Sequence, residues 1–362
     1  MRPIFAIHRN GNDVTENLAP RVVSIEITDE AESKSDTLAI ELIDRPENGR
    51  YPDLPDAGDK ITAYLGYEET SLTFMGEYIV DAVTMGDGDV VIDCKSADMV
   101  ESYRTPRDQS WNRKDLADIV TEVGDRNGYE VVIDPDLKGV IVDHVDQFQE
   151  SDMGFLTRIS ETYDAVARPT AGKLVLAKRG SGKSVSGQTL PSITIRPEDT
   201  IGGDWSYQYS ARDDKGKASG IPGEEKSKEA GGVRASYHDL KLGKKQTVEI
   251  GKPPFRDLRY SHRDEVDATA AANAAANQQT RAVGTFSTTL EGDPGIAAEA
   301  LLTLKSWRPR VPVSWRIKTA KHSFSSGGYK TSVDCEIYEE KQSSPSKEVK
   351  KVAAEKGWPH EY

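Results

Sequence analysis

The chain has little of what metal proteins, secreted proteins and membrane proteins show in their sequences. Its 362 residues include only two cysteines, Cys94 and Cys335, which form no metal-ligand or disulfide pattern. No apolar run approaches the roughly 20 residues that cross a bilayer. The opening MRPIFAIHRNG lacks the apolar core and small-residue cleavage site of a signal peptide. We therefore predict a chain without a membrane-spanning segment, made in a reducing cytoplasm.

A recognisable catalytic or metal-binding pattern is also missing. No Gly-x-Ser-x-Gly motif occurs, and no two histidines have the spacing of a helical metal site. The histidines are His8, His144, His238, His262, His322 and His360. We predict that the protein is not an enzyme and has no catalytic residue, no cofactor and no metal site. A carboxylate pair among the 60 acidic residues stays open as an alternative.

Positive charge is in deficit, because 47 Lys and Arg face 60 Asp and Glu and give a net charge of -13. A strong non-specific grip on DNA needs concentrated Lys and Arg and is therefore not expected. An acidic surface instead suits a channel through which DNA passes without binding to the wall.

One stretch resembles the phosphate-binding loop of nucleotide hydrolases, Gly-Ser-Gly-Lys-Ser at residues 180–184. The first glycine of that motif is replaced by Ala177, and the residues after Ser184 show no helical stripe. Such a loop binds phosphate at the start of a helix, so the anion site would be incomplete. We interpret the stretch as a flexible linker with Lys183 in solvent, and a degenerate nucleotide site at Lys183 stays open.

Alternating apolar and polar residues at both ends of the chain predict a β-rich α+β fold. Residues 1–104 contain about six short alternating segments, which indicate a small antiparallel β-barrel domain. Residues 105–180 contain two segments with apolar side chains at helical spacing, which indicate an inserted α/β domain. Alternation returns in residues 181–340 and indicates a second β-barrel domain.

Two segments of the second barrel domain differ from the rest of it. Residues 211–235 have almost no large apolar side chain, which predicts a mobile loop. Residues 263–282 are rich in alanine, which predicts a helix that packs closely on a neighbour. Ser261 and Asp264 resemble a capping box at its start. In the α/β domain, Asn112 and Ser151 are expected to cap the two helices.

An internal echo links the two strand-rich regions. GDGDVVIDCKS closes the first region and GGYKTSVDCEI closes the last, and both combine a glycine turn, an alternating strand and an Asp-Cys pair. The echo indicates that the two barrels are related by internal duplication.

Four longer segments in sequence order carry a family resemblance. They are WNRKDLADIVTEVGDRNGYEVVID, FQESDMGFLTRISETYDAVARPTAGKLVLAK, DEVDATAAANAAANQQTRAVGTFSTTLEGDPGI and WRIKTAKHSFSSGGYKTSVDCEI. Together they span most of residues 105–340. The chain resembles the phage late control gene D protein family, the baseplate hub proteins of contractile tails.

The resemblance implies a structural protein of a phage or tailocin particle, synthesised in the cytoplasm of the bacterial host. Members form homotrimers in which two β-barrels per chain build a pseudo-sixfold ring. That ring joins the tail tube protein to a trimeric spike protein, next to other baseplate proteins, and DNA passes through its lumen. A hub-embedded cell-wall hydrolase and a carbohydrate-binding barrel remain alternatives.

The C-terminal tail, residues 341–362, is the candidate partner-binding segment. Its apolar side chains are expected to order on a partner, because the segment is too short for a stable isolated helix. They are Val349, Val352, Ala353 and Trp358. His322 lies on a predicted strand, and we expect a buried, hydrogen-bonded histidine rather than a ligand. The other tryptophans, Trp111, Trp205, Trp307 and Trp315, are expected in the core or at interfaces.

Overall fold

The computed structural model describes ten parts of the chain. They are residues 1–31, 35–46, 49, 51–95, 100–170, 173–180, 192–209, 231–239, 242–282 and 284–338. These residues fall into two compact units. Unit 1 contains Met1–Thr157, Val166–Tyr207 and Thr285–Tyr338, and unit 2 contains Arg158–Ala165 and Gln208–Gly284.

The strands follow one another along the chain with few helices between them. The strands of the first half are β1 (Pro3–Arg9), β2 (Asn12–Asp13), β3 (Val22–Glu30), β4 (Thr37–Ile43), β5 (Lys60–Tyr67), β6 (Ser71–Met85), β7 (Asp89–Lys95), β8 (Pro106–Asp115), β9 (Glu130–Ile133), β10 (Ile141–Ser151), β11 (Ala165–Thr170) and β12 (Lys173–Lys178). Those of the second half are β13 (Ser192–Ile195), β14 (Thr200–Tyr209), β15 (Val233–Asp239), β16 (Lys244–Ile250), β17 (Arg256–His262), β18 (Gly284–Glu291), β19 (Leu301–Leu304), β20 (Ser314–Ser325) and β21 (Gly328–Ile337). The helices are α1 (Thr15–Leu18), α2 (Glu101–Arg104), α3 (Leu116–Arg126), α4 (Asp152–Thr162) and α5 (Glu265–Ala282). The β-rich fold that alternation predicts is confirmed.

One large sheet runs through unit 1. Its strand order is β14-β18-β21-β20-β3-β4-β7-β6-β5-β1-β2, with β19 also paired to β20 and β13 paired to β19. Within the described residues this path has two ends and does not close into a barrel. Strands from both predicted barrel regions, though not β15, β16 and β17, are therefore hydrogen-bonded into a single sheet.

The first half of this sheet follows from its sequence pattern. Side chains on alternate residues point to one face of a strand, so Ile25 and Ile27 of β3 and Leu38 and Ile40 of β4 lie in one buried cluster. An Asn-Gly pair forms the turn between β1 and β2. Asn10 has φ 50° and Gly11 has φ 82°, the positive values that a tight hairpin turn needs at both central residues.

The second half of the sheet encloses an aromatic cluster. Trp315 and Phe286 are fully buried, with ring centroids 5.5 Å apart, and Trp307 meets Phe286 edge-on at 5.1 Å. Trp205 packs against the same cluster. Of the tryptophans expected in the core or at interfaces, Trp315 and Trp111 are core residues, and Trp111 stacks on Phe155 at 4.5 Å. Trp205 and Trp307 are partly buried against the aromatic cluster.

The predicted α/β segment contains the expected helices with one corrected start. Asn112 lies inside strand β8, which pairs with β10, so it does not cap a helix. Asp115 caps α3 instead, since its Oδ1 accepts a hydrogen bond of 2.8 Å from the Ala117 N–H. The capping of α4 by Ser151 is confirmed, because its Oγ accepts from the Gly154 N–H at 3.1 Å.

Unit 2 has its own sheet, in the order β16-β15-β17, with helix α5 packed on it. The alanine-rich helix is confirmed, but Asp264 alone caps it, by accepting from the Asp267 N–H at 2.9 Å. The predicted mobile loop 211–235 is wrong at its end, because Val233 and Ala235 belong to β15 and are fully buried. Its residues 211–230 lie outside the described residues.

Candidate assembly interface

The two strand regions of unit 1 meet at strands β20 and β3. The strands pair antiparallel from Thr319 opposite Glu30 to Ser325 opposite Ser24. These partners are almost 300 residues apart, so no local sequence pattern predicts the pairing.

Side chains on both faces support this junction. Lys321 and Glu26 form an ion pair of 3.0 Å on the solvent side. On the other side the Phe5 and Phe324 rings meet edge-on with centroids 5.1 Å apart. Asp29 accepts a hydrogen bond of 2.8 Å from the Ala298 backbone N–H. The junction therefore combines backbone pairing, charge and aromatic packing.

His322 is the central buried group of the junction, opposite Ile27 of β3. Its Nε2 lies 3.0 Å from the Ile296 carbonyl oxygen, and its Nδ1 lies 2.8 Å from the Tyr329 hydroxyl and 3.1 Å from the Thr331 hydroxyl. Because a carbonyl only accepts, Nε2 carries the proton and Nδ1 accepts. Burial lowers the pKa of His322 to about 4, so the ring is neutral. The prediction of a buried, hydrogen-bonded histidine is confirmed.

Tyr67 ties strand β5 to the second strand region. Its hydroxyl donates to the Gly292 carbonyl at 2.7 Å, and its ring lies 5.8 Å from that of Tyr329. A Cβ on Gly292 would lie 2.2 Å from the Tyr329 ring, so only glycine fits between them.

A buried cation lies on the same strand as His322. The Arg316 side chain is 1% exposed and donates to both carboxylate oxygens of Glu299, at 2.9 and 2.7 Å, and to Glu336. Burial alone would lower the pKa of Arg316, but the two carboxylates outweigh it and raise the pKa. The sequence pattern did not indicate this cluster. The available signal is a charged residue between two apolar ones, Trp315 and Ile317, on a predicted strand.

A second buried charge organises the α/β segment. Asp152 has no exposed side-chain area and accepts from Arg126 Nε at 3.0 Å, from Asn127 at 2.8 Å and from Gln147 at 2.9 Å. Asp152 follows the helix cap Ser151. The Gln-Glu-Ser-Asp stretch that carries the family resemblance thus begins a helix and holds a polar network together.

The two strand regions have the same strand order. The first runs β3-β4-β7-β6-β5-β1, and the second runs β14-β18-β21-β20-β19-β13. When the six strands of a region are numbered along the chain, both regions place them in the sheet in the same order: second, third, sixth, fifth, fourth and first. The outermost pair differs, because β1 and β5 are antiparallel whereas β13 and β19 are parallel.

The match extends to single residues around the two cysteines. Cys94 lies opposite Val80 and Cys335 opposite Ile317, and a β-bulge follows each of these partners, at Asp81 and Lys318. Both cysteines are buried and free.

The backbone around the two partner residues matches as well. Val80 exchanges hydrogen bonds of 3.0 and 2.9 Å with Asp59 and Gly58, and Ile317 exchanges two of 2.9 Å with Ala300 and Glu299. Gly58 and Glu299 both have positive φ, 93° and 70°.

The other predicted site residues are not placed by the structure. Lys183 and the tail residues Val349, Val352, Ala353 and Trp358 lie outside the described residues, although the strand expected before Lys183 is present as β12. In the described part of the chain, no group of three or more His, Cys, Asp or Glu side chains could hold a metal ion. No helix among these residues is long and apolar enough to cross a membrane.

The architecture is that of phage tail proteins. The 43 kDa tail protein of prophage MuSo2 from Shewanella oneidensis matches 92% of this chain and 98% of its own length, with a TM-score of 0.65 at 14% sequence identity. A likeness at this identity defines the fold alone.

Sequence matches narrow the class. Residues 96–328 match the family of the phage tail baseplate hub (GPD). The probable baseplate hub protein of Escherichia phage 186 is 28% identical over 371 residues, 93% of each chain. That of Escherichia phage P2 is 35% identical over 201 residues, 55% of this chain and 51% of the relative. The chain therefore belongs to the phage tail baseplate hub family. It is a baseplate hub protein, a structural component of the virion.

Proposed function

We propose that three copies of the chain form a ring that joins the sixfold tail tube to a threefold spike. The observation that carries the proposal is the matched strand order of the two regions, with the same bulge beside each cysteine. Two regions of like topology per chain offer six similar positions from three copies. A tube with six subunits around its axis would then meet six similar surfaces.

The domain division that the sequence predicts fits such a ring. Residues 1–104 and 181–340 would be barrels related by duplication, 105–180 the insertion, and 341–362 the tail. The unlike pairing of β1 with β5 and of β13 with β19 is the place where the copies have diverged.

The role is structural, without catalysis or a cofactor. Three buried polar groups support this, because His322, Arg316 and Asp152 each have their hydrogen-bonding partners inside the protein. The chain would be made in the host cytoplasm and assemble with tube, spike and other baseplate proteins, and DNA would pass through the acidic ring without specific binding.

Counting copies in purified particles tests the ring. We expect three hub chains per tail by quantitative mass spectrometry against the tube protein, and a ring with six similar lobes by electron microscopy. Six chains per tail, or a ring without sixfold features, would contradict the proposal.

The C-terminal tail is proposed to capture the spike or a neighbouring copy through Val349, Val352, Ala353 and Trp358. Val349→Asp with Val352→Asp should leave the chain folded and reduce spike retention in particles. Lys350→Ala with Lys351→Ala, in the same segment, is the control and should retain the spike. Equal retention in both variants would show that the tail has another role.

A further inference from the structure

Several strand edges of the large sheet have no strand beside them in the described part of the chain, and two of these edges belong to β6 and β14. β6 pairs with β5 up to Val80, and beyond it only β7 lies alongside. β14 ends the sheet and pairs only with β18. Met85 on the first edge is 66% exposed and Tyr209 on the second is 64% exposed. Open edges with exposed apolar side chains are templates for pairing with another chain.

The internal match of the two regions identifies each open edge. By strand order and by the bulge, β6 corresponds to β20, and β14 corresponds to β3. Within one chain β20 and β3 pair with each other. The two open edges are therefore the counterparts of a junction that the chain already forms once.

We propose that the end of β6, Ala82–Met85, pairs antiparallel with β14 of a neighbouring copy and repeats the β20–β3 junction between chains. The inference rests on the proposed ring. It adds the contact that closes the ring. The β6 edge of the first region pairs with the β14 edge of a neighbour's second region, and the β20 edge of the second region pairs with the β3 edge of the first. Pairing would alternate between the internal junction and the junction between copies.

The register of the junction between copies follows from the same match. The bulges align Thr84 with Lys321, since each lies three residues after its bulge. Ser287 on β18 corresponds to Ala39 on β4, because each follows the residue opposite its cysteine, Phe286 opposite Cys335 and Leu38 opposite Cys94. Ser206 Oγ lies 2.7 Å from Ser287 Oγ, and Glu26 lies opposite Ala39. This aligns Gln208 with Thr28. Because Lys321 lies opposite Thr28 in the internal junction, Thr84 should lie opposite Gln208 of the neighbour.

The side chains fit this arrangement. Met85 corresponds to the buried His322 and Val83 to the buried Ala320, so an apolar face would continue across the new junction. Val83 already packs against the first core cluster. Pairing would cover Met85, which in the single chain is more exposed than Val83, His322 and Ala320.

Disulfide trapping in the full-length chain tests the pairing. Thr84→Cys and Gln208→Cys are combined in one chain, which is oxidised both as concentrated protein and in assembled particles, then resolved on a non-reducing gel. The native Cys94 and Cys335 do not interfere, because burial raises the pKa of both thiols and keeps them unreactive. We expect covalent dimers and a covalent trimer, with no larger species.

Two double-cysteine variants serve as the positive and the negative control. Lys321→Cys with Thr28→Cys occupies the equivalent internal positions and should form a disulfide within one chain. Thr73→Cys with Gln208→Cys uses the other end of β6 and should yield at least tenfold less cross-linked product. Three hub chains per particle without cross-linking at Thr84 and Gln208 would overturn the pairing and leave the ring intact. Absence of both the three-chain count and the cross-link would overturn the ring and the pairing together.

Discussion

The Tyr329 hydroxyl donates a hydrogen bond of 2.8 Å to Nδ1 of His322, while Nε2 donates to a backbone carbonyl. Both nitrogens are thus used by one neutral tautomer inside the junction of the two strand regions. Adding a proton to Nδ1 would break the bond from Tyr329 and place a charge where burial disfavours it.

This arrangement predicts a pH dependence of stability. Burial lowers the pKa of His322 from 6.5 to about 4, so between these values the unfolded chain binds a proton that the folded chain does not. The free energy of unfolding should be highest above the unfolded pKa and fall as the pH drops to about 4. The loss is about 1.4 kcal/mol per pH unit, about 3 kcal/mol in all.

Urea unfolding between pH 7 and 4 measures this slope. His322→Gln should lower stability at pH 7 but show a slope smaller by about one proton. His144→Gln, which replaces an exposed histidine on β10, is the control and should keep the wild-type slope. An unchanged slope in His322→Gln would show that another group controls the acid sensitivity.

The Arg316 cluster predicts a large cost for removing one partner. Arg316→Met leaves two carboxylates, Glu299 and Glu336, packed together without their cation, which should cost about 3–5 kcal/mol of unfolding free energy. Adding Glu299→Gln and Glu336→Gln should recover much of the loss. Lys321→Met, which breaks an exposed ion pair with Glu26, should cost less than about 1 kcal/mol. A small effect of Arg316→Met in denaturant titration would contradict this account.

Two helix glycines predict opposite responses to alanine. A Cβ on Gly124 of α3 would lie 2.2 Å from Val131 Cγ2 on β9, so Gly124→Ala should destabilise by about 1–3 kcal/mol despite its better helix propensity. On α4 the nearest atom to such a Cβ at Gly154 is the flexible Glu150 Cγ, at 3.3 Å. Gly154→Ala should be neutral or stabilise by up to about 1 kcal/mol. Thermal unfolding of both variants decides, and a reversed order would refute the packing argument.

The start of α5 gives a fourth prediction. Asp264→Ala removes the acceptor for the Asp267 N–H and should destabilise unit 2 by about 1 kcal/mol, as measured by hydrogen exchange of the helix amides. Ser261→Ala removes the other residue of the predicted capping box and should change exchange little. A larger effect of Ser261→Ala than of Asp264→Ala would support the predicted capping box instead.

Local pattern predicted much of the fold, because alternation, turn residues and caps act over a few residues. The Ser151 cap and helix α5 are of this kind. Strand β8 was missed because Trp111 is its only buried residue, and because it pairs with a strand distant in sequence, from Asp115 opposite Ile141 to Pro106 opposite Ser151. The separate sheet of unit 2 was missed because β15 pairs in parallel with β17, although β16 lies between these two strands in the sequence.

At the candidate interface the sequence indicated the burial of His322 and the echo around the two cysteines. It did not indicate that β20 and β3 pair, or that Arg316 is buried between carboxylates. Both depend on contacts between distant parts of the chain, which periodicity within a segment does not record.

The pairing of β3 with β20 also bears on synthesis. The Thr319 hydroxyl bonds to the Glu30 carboxylate across a separation of 289 residues. A ribosome adds about 5–20 residues per second, so β3 waits roughly 15–60 s for its second neighbour. Throughout that interval the nascent chain exposes an unpaired edge beside other copies on the same message. During synthesis, completion of one chain therefore competes with premature pairing of its β3 edge with another copy.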